Sequence, residues 1–285
     1  MNFLGIDAGA SATKWALIND SGIIASGRRD AMDGHIYRDA SLERMRRVLN
    51  EISEEIKELK VSSVFMGITG VIQDGSIEKE IKSSFKCLST VVSDIELAYR
   101  ANFADGEGIL LYAGTGSVAY AINENSEAHK IGGWGYLLGD EGAGYWIGKE
   151  AIRYSLFDLE EGNIIEEGSL ADQILKEIQA SDWSGVKAFV YSKDRAEIAA
   201  LSKIVNQSAE VGDVKAATIL KNAAGHLVNL VDRTDEVLAQ TTLPVKFTGG
   251  ISGSKILYQE LEKLLGNRVS ISTVDIALRA AELAR

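Results

Sequence analysis

A chain of 285 residues with 46% hydrophobic and 25% charged side chains can bury a large core and has room for two lobes, so disorder is excluded. Its net charge of −11 argues against nucleic acid or an anionic membrane as partner, because either would reward a basic surface. One cysteine, Cys87, permits no intrachain disulfide; with no signal-peptide pattern and no apolar stretch of spanning length, the expected location is the cytoplasm.

The first patterned stretch is residues 3–19, FLGIDAGASATKWALIN. An apolar run ends at Asp7, a turn of small residues follows, and a second apolar run leads away, which predicts a β-hairpin with an acid at the tip of its first strand. Backbone N–H groups can hold a phosphate only where no side chain keeps it away. Gly9, Ala10, Ser11, Thr13 and Lys14 are therefore candidate nucleotide contacts, and Asp7 is placed to hold a hydrated Mg²⁺.

Residues 23–26 supply a third strand and residues 27–39 a polar loop. Apolar residues then recur at helical spacing from Leu42 to Leu59, predicting an amphipathic helix over 41–59 with Ser41 as its N-cap. A strand over 61–68, a helix over 77–85, a strand over 90–92 and a helix over 95–103 follow. Asp94 falls just past a strand end at the start of a helix. That position suits a capping acid as well as a reactive one.

Residues 109–122, ILLYAGTGSVAYAI, repeat the hairpin, with Gly114, Thr115, Gly116 and Ser117 in the turn. Two such hairpins, one early in each half, predict two similar lobes facing a shared nucleotide. Residues 132–148, GGWGYLLGDEGAGYWIG, are too dense in glycine and aromatic rings for a simple helix, and such a loop suits a sugar. Asp140 and Glu141 are its central polar pair. On a purely structural reading Asp140 caps a helix starting near 141, while Trp134 and Trp146 are core.

The rest reads as mostly helical, over 170–178, 186–191, 196–210 and 214–240, with His226 a core residue of the last of these. Pro244 precedes a strand over 245–247. A third glycine turn, residues 247–254 (FTGGISGS), opens a helix as a nucleoside loop would, which singles out Gly249, Gly250 and Ser252. A final helix spans 273–285.

Taken together, these stretches resemble the superfamily of actin, hexokinase and heat-shock chaperone ATPases. Within it they resemble the branch holding N-acetylglucosamine kinases, archaeal hexokinase-like and 2-keto-3-deoxygluconate kinases, and the BadF/BadG/BcrA/BcrD-type ATPases. Residues 132–148 match the GGWG…GDEGSAYW signature of N-acetylglucosamine kinases almost position by position. The resemblance implies an α/β fold of two ribonuclease-H-like lobes, the actin-like ATPase fold, with a nucleotide cleft between them. The lobes would be 1–104 and 105–273, and residues 274–285 would form a closing helix returning to the first.

It also implies a homodimeric kinase that uses ATP and Mg²⁺ to phosphorylate a hydroxyl of a sugar or sugar acid. Asp94 would be its catalytic base and Asp7 its metal residue, with His35, Asp94, Gly133, Asp140 and Glu141 at the acceptor. The alternative within the branch is a nucleotide switch or activator ATPase. Activators of that type hold a [4Fe–4S] cluster with two cysteines from each subunit, and Cys87 stands alone. Two positions depart from the N-acetylglucosamine kinases: His35 and Val118 stand where those enzymes carry Asn. Arg28, Arg29, His35 and Arg38 cluster near the first departure, either as solvated surface charge or as a carboxylate site for a sugar acid.

Overall fold

Three apolar runs at the start of the chain form strands β1 (Asn2–Ala8), β2 (Thr13–Asn19) and β3 (Gly22–Arg29) in the computed structural model, which describes residues 1–9 and 11–285. Next come α1 (Asp39–Glu55), β4 (Val61–Ile68), α2 (Ser76–Phe85), β5 (Leu88–Ser93) and α3 (Asp94–Asn102). A second set begins with β6 (Ile109–Ala113), β7 (Ser117–Ile122) and β8 (Ala128–Gly132). The helices α4 (Gly144–Glu160), α5 (Leu170–Glu177), α6 (Trp183–Ser192), α7 (Arg195–Ala200), α8 (Ser202–Glu210) and α9 (Val214–Leu238) follow. Strand β9 (Val245–Thr248), α10 (Lys255–Leu265), β10 (Val269–Ile271) and α11 (Ile276–Leu283) complete the chain. Two compact units result, one of Met1–Phe103 with Thr273–Arg285 and one of Ala104–Ser272.

The first unit is built on a five-stranded sheet in the order β3-β2-β1-β4-β5. The β1–β2 and β2–β3 pairs are antiparallel, and β4 and β5 run parallel to β1. Helices α1 and α2 lay their apolar stripes, including Met45, Leu49, Ile52, Ile77 and Ile81, on the face formed by Leu4, Ile6, Trp15 and Met66. Burial of this kind, roughly 25 cal/mol per Å² of apolar surface, is what holds helix to sheet. The opposite face takes α11, which lies so close that a Cβ on Gly5 would stand 2.1 Å from the Ala277 carbonyl oxygen.

Two expectations change here. Residues 27–29 belong to β3, because Gly27, Arg28 and Arg29 pair with Trp15, Lys14 and Thr13 of β2. Helix α1 starts at Asp39 with Arg38 as N-cap, so Ser41 is not the cap. Its hydroxyl sits buried inside the first turn and donates to Asp33 at 3.2 Å.

The second unit repeats the sheet, in the order β10-β9-β6-β7-β8. Again the first three strands are antiparallel neighbours, and the next two run parallel to the first. In place of α1 stands the series α4 to α9. The continuous helix expected over 196–210 breaks at Leu201 into α7 and α8, where the Ser202 hydroxyl bonds the Ala199 carbonyl at 2.6 Å. His226 is not a core residue: it lies exposed on α9, its ring edge-on to Trp146 at 4.8 Å. Strands β8 and β10 are additions to the reading from sequence. Among the described residues no helix is long and apolar enough to cross a membrane.

Candidate active site

In the first unit the C-terminal ends of β1, β4 and β5 lie side by side, so that Asp7 is opposite Gly67, and Ile68 is opposite Ser93. Parallel strands ending together make the edge at which α/β sheets hold ligands. Asp94 is the first helical residue beyond β5. The cap of α3 is Ser93, whose hydroxyl accepts the Glu96 N–H at 3.1 Å, while Asp94 Oδ1 accepts the N–H of Ile95 at 2.9 Å. Capping therefore does not account for Asp94. A third acid, Asp275, reaches the same edge as N-cap of α11.

These charges meet at Asp7. Burial is the main reason its pKa is raised to about 6; Lys14, opposite it on β2, pulls the value down, and the negative fields of Asp94 and Asp275 push it further up. Folding thus raises the proton affinity of Asp7 above its ordinary value of 3.8. The folded state binds the proton more tightly, so this group's contribution to stability declines as pH rises from about 4 to 6 and remains unfavourable above that. Asp7→Asn, melted without divalent cations, is expected to gain on the order of 2 kcal/mol at neutral pH and less at about pH 4.5. An equal gain at both pH values would contradict an ionisation effect.

The β1–β2 turn is closed by the Gly9 N–H donating to the Ala12 carbonyl at 3.1 Å. Ser11 and Lys14 are exposed beside it, whereas Thr13 is fully buried and its hydroxyl has no hydrogen-bond partner among the described residues. Ala10 lies outside the described residues.

His35 belongs to the same edge. The Gly34 N–H bonds the Thr69 carbonyl at 2.8 Å and the Thr69 N–H bonds the Ala8 carbonyl at 3.1 Å, tying the loop to β4 and β1. Asp33 orients the imidazole, with Oδ1 3.0 Å from both the backbone nitrogen and Nδ1 of His35. Although burial pushes the other way, hydrogen bonds from His35 and Ser41 hold the Asp33 carboxyl below the ordinary range. Arg38 is drawn aside over the Tyr37 ring, 5.3 Å from its centroid.

In the second unit the turn between β6 and β7 is gripped from behind. The N–H groups of Gly144 and Tyr145, opening α4, donate to the carbonyls of Gly114 and Thr115 at 2.8 and 3.2 Å. Ser117 is buried and donates to the Glu141 carbonyl at 2.8 Å. Asp140, with φ 64°, folds its carboxylate under the turn: a Cβ on Gly116 would stand 2.4 Å from its Oδ2. Burial raises the Asp140 pKa, against hydrogen bonds from the Ser117 and Gly135 backbone and the charge of Arg195. Asp140 is therefore a brace of the turn and not the cap of a helix, since α4 begins at Gly144 with Ala143 as N-cap.

Around that turn the structure gathers other residues singled out in the sequence. Gly133 donates to the Ser117 carbonyl at 3.0 Å. The glycine turn after β9 is pinned by the Ile251 N–H to the Ala113 carbonyl at 3.0 Å, and Ser252 Oγ donates to the Gly249 carbonyl at 2.8 Å. Gly250 has open space where a side chain would be. Glu141 is exposed, and so is Trp134, at 60%, with Arg233 stacked 5.2 Å from its ring; Trp134 is thus not core. Asp33, Asp275, Gly135 and Arg195 were not singled out. Only Asp33, two residues before His35, carried a local signal, the spacing of an Asx turn.

The residues 4–281 match the BadF/BadG/BcrA/BcrD ATPase family. The chain belongs to that family. An N-acetylmuramic acid/N-acetylglucosamine kinase of Clostridium acetobutylicum is 31% identical over 280 residues, covering 92% of this chain and 89% of that protein. An N-acetyl-D-glucosamine kinase of Dictyostelium discoideum is 25% identical over 313 residues, covering 99% and 97%. A solved structure from Chromobacterium violaceum, provisionally named an N-acetylglucosamine kinase, matches with a TM-score of 0.78 at 22% identity, covering 100% and 99%. The two five-stranded units of this BadF/BadG/BcrA/BcrD member are those of the actin-like ATPase fold of sugar kinases.

Proposed function

We propose that the chain is an ATP-dependent carbohydrate kinase, a phosphotransferase acting on the hydroxyl of an N-acetylated amino sugar such as N-acetylglucosamine or N-acetylmuramic acid. The observation that carries this reading is the meeting of Asp7, Asp94 and the His35 loop at one strand edge of a chain that resembles amino-sugar kinases along nearly its whole length. Phosphoryl transfer needs little covalent help from a protein: a hydroxyl held in line and a carboxylate to take its proton. Asp94 takes that role, with His35, oriented by Asp33, on the loop tied to the same strand edge. Ser11 and Lys14 by the first turn, Gly114 to Ser117 in the second, and Gly249, Gly250 and Ser252 are the nucleotide contacts. Gly133 and Glu141 are the acceptor contacts proposed within the second unit; Asp140 acts through the turn it braces.

Mg²⁺ would neutralise the phosphate charge. Among the described residues no group of three His, Cys, Asp or Glu side chains can hold an ion unaided. Magnesium, however, keeps several waters and takes one or two carboxylates together with substrate phosphates, which suits Asp7 with Asp94 and Asp275 nearby. A cytoplasmic homodimer is the form expected of the molecule.

A coupled assay of ADP release tests the reading. N-acetylglucosamine or N-acetylmuramic acid is expected to raise the rate at least tenfold over ATP alone, glucose and 2-keto-3-deoxygluconate much less. Release that no sugar or sugar acid stimulates would favour the switch ATPase instead.

A further inference from the structure

Beside the β1–β2 turn the first unit contains a cavity of about 450 Å³, lined by Ser11, by Asp30 and by four arginines, Arg28, Arg29, Arg44 and Arg47. Four guanidiniums converging in a chain of net charge −11 require an explanation. Two are committed to the fold. Arg29 pairs with Glu51 at 3.7 Å and with Glu55, and Arg47 pairs with Asp30 at 2.9 Å and Glu51 at 3.4 Å.

The other two are not. The nearest acid to Arg44 is Asp33, at 3.9 Å, already bonded by His35 and Ser41. Arg28 pairs with no carboxylate among the described residues, and its side chain is exposed. Both lead towards the strand edge described above. Arg28 is opposite Lys14 in the sheet, and Lys14 is opposite Asp7. Arg44 touches the carboxylate that orients His35.

We propose that Arg28 and Arg44 recognise a carboxylate carried on the acceptor sugar, so that the preferred substrate is an acidic amino sugar such as N-acetylmuramic acid and not neutral N-acetylglucosamine. This rests on the kinase reading and adds the substrate class to it. A neutral amino sugar brings no charge to the two guanidiniums, whereas the ether-linked lactate of N-acetylmuramic acid brings a planar carboxylate that a guanidinium grips through two parallel hydrogen bonds. The nucleotide is the other anion available, and the test separates the two.

Steady-state kinetics of the full chain and of R28Q, R44Q and R44K, each checked by thermal melting, provide that test. With wild type, kcat/KM is expected to favour the acid. In R28Q and R44Q the ratio of kcat/KM for the acid to that for the neutral sugar falls at least tenfold, chiefly through the KM of the acid. R44K, which keeps the charge but not the fork, falls between. Added salt raises the KM of the acid more than that of the neutral sugar. An equal loss with both sugars, a raised KM for ATP, or a wild type that prefers the neutral sugar would overturn the proposal while leaving the kinase reading intact. Should neither sugar be phosphorylated, that reading fails. Calorimetry then decides the carboxylate site by itself: N-acetylmuramic acid bound by wild type and not by R44Q supports it, and no binding refutes it.

Discussion

Replacing Asp94 with Asn is expected to lower kcat by about 10²- to 10⁴-fold, the range a positioned acid or base contributes, while the KM for ATP stays nearly unchanged. The substitution keeps the shape of the side chain, and Asn Oδ1 can still accept the Ile95 N–H that Asp94 holds at 2.9 Å. The cap of α3 is untouched because Ser93 provides it. On the proposed reading, what disappears is the capacity to accept the acceptor's proton as phosphate transfers. The loss therefore belongs in kcat, read with saturating sugar and ATP. Turnover within a few-fold of wild type would remove Asp94 from the chemistry. A matching loss of melting temperature would assign it a structural role.

Gly5→Ala is expected to be the most destabilising single methyl that can be added to β1. The new Cβ would stand 2.1 Å from the Ala277 carbonyl oxygen and 2.2 Å from the Ala281 nitrogen. Both are backbone atoms of α11, so no rotamer change relieves the contact and the helix must lift from the sheet. Overpacking of this severity costs about 3 kcal/mol or more, roughly 10 °C in melting temperature for a unit of this size. Lifting α11 also moves Asp275, its N-cap, away from Asp7, so activity should fall with stability. Gly253→Ala is the control. A Cβ there meets nothing within 4 Å, and its melting temperature should stay close to wild type. Equal melting of the two variants would show that α11 yields easily.

The parts that read well from sequence are those in which local chemistry and global position agree. An apolar run ending in Asp7 or at Gly114 announces both a strand and the turn at its tip, and the same order recurs in both sheets. Asp94 could not be told from a capping acid by its position alone; the resemblance singled it out, and the structure gives the cap of α3 to Ser93. Other features are set by partners distant in the sequence. Strand β8, AHKIG, has no apolar alternation of its own and is held by pairing with β7; β10 is three residues long and exists because β9 lies beside it. Asp140 sits in a motif that suggests a sugar contact or a helix cap, and nothing in the order of residues tells that Gly116 comes to rest on its carboxylate. His226 follows Gly225 on a 25-residue helix whose buried stripe runs through Ala223, Ala224 and Leu227, which turns the imidazole outwards. Asp275 closes the site from the far end of the chain, beyond the reach of any local pattern.

Label transfer from ATP carrying radioactive γ-phosphate tests the central claim most directly. With N-acetylmuramic acid or N-acetylglucosamine present, the label is expected in a sugar phosphate, one per ADP formed, and Asp94→Asn should slow its appearance by about 10²- to 10⁴-fold. Label appearing as inorganic phosphate alone, with or without sugar, would contradict the account.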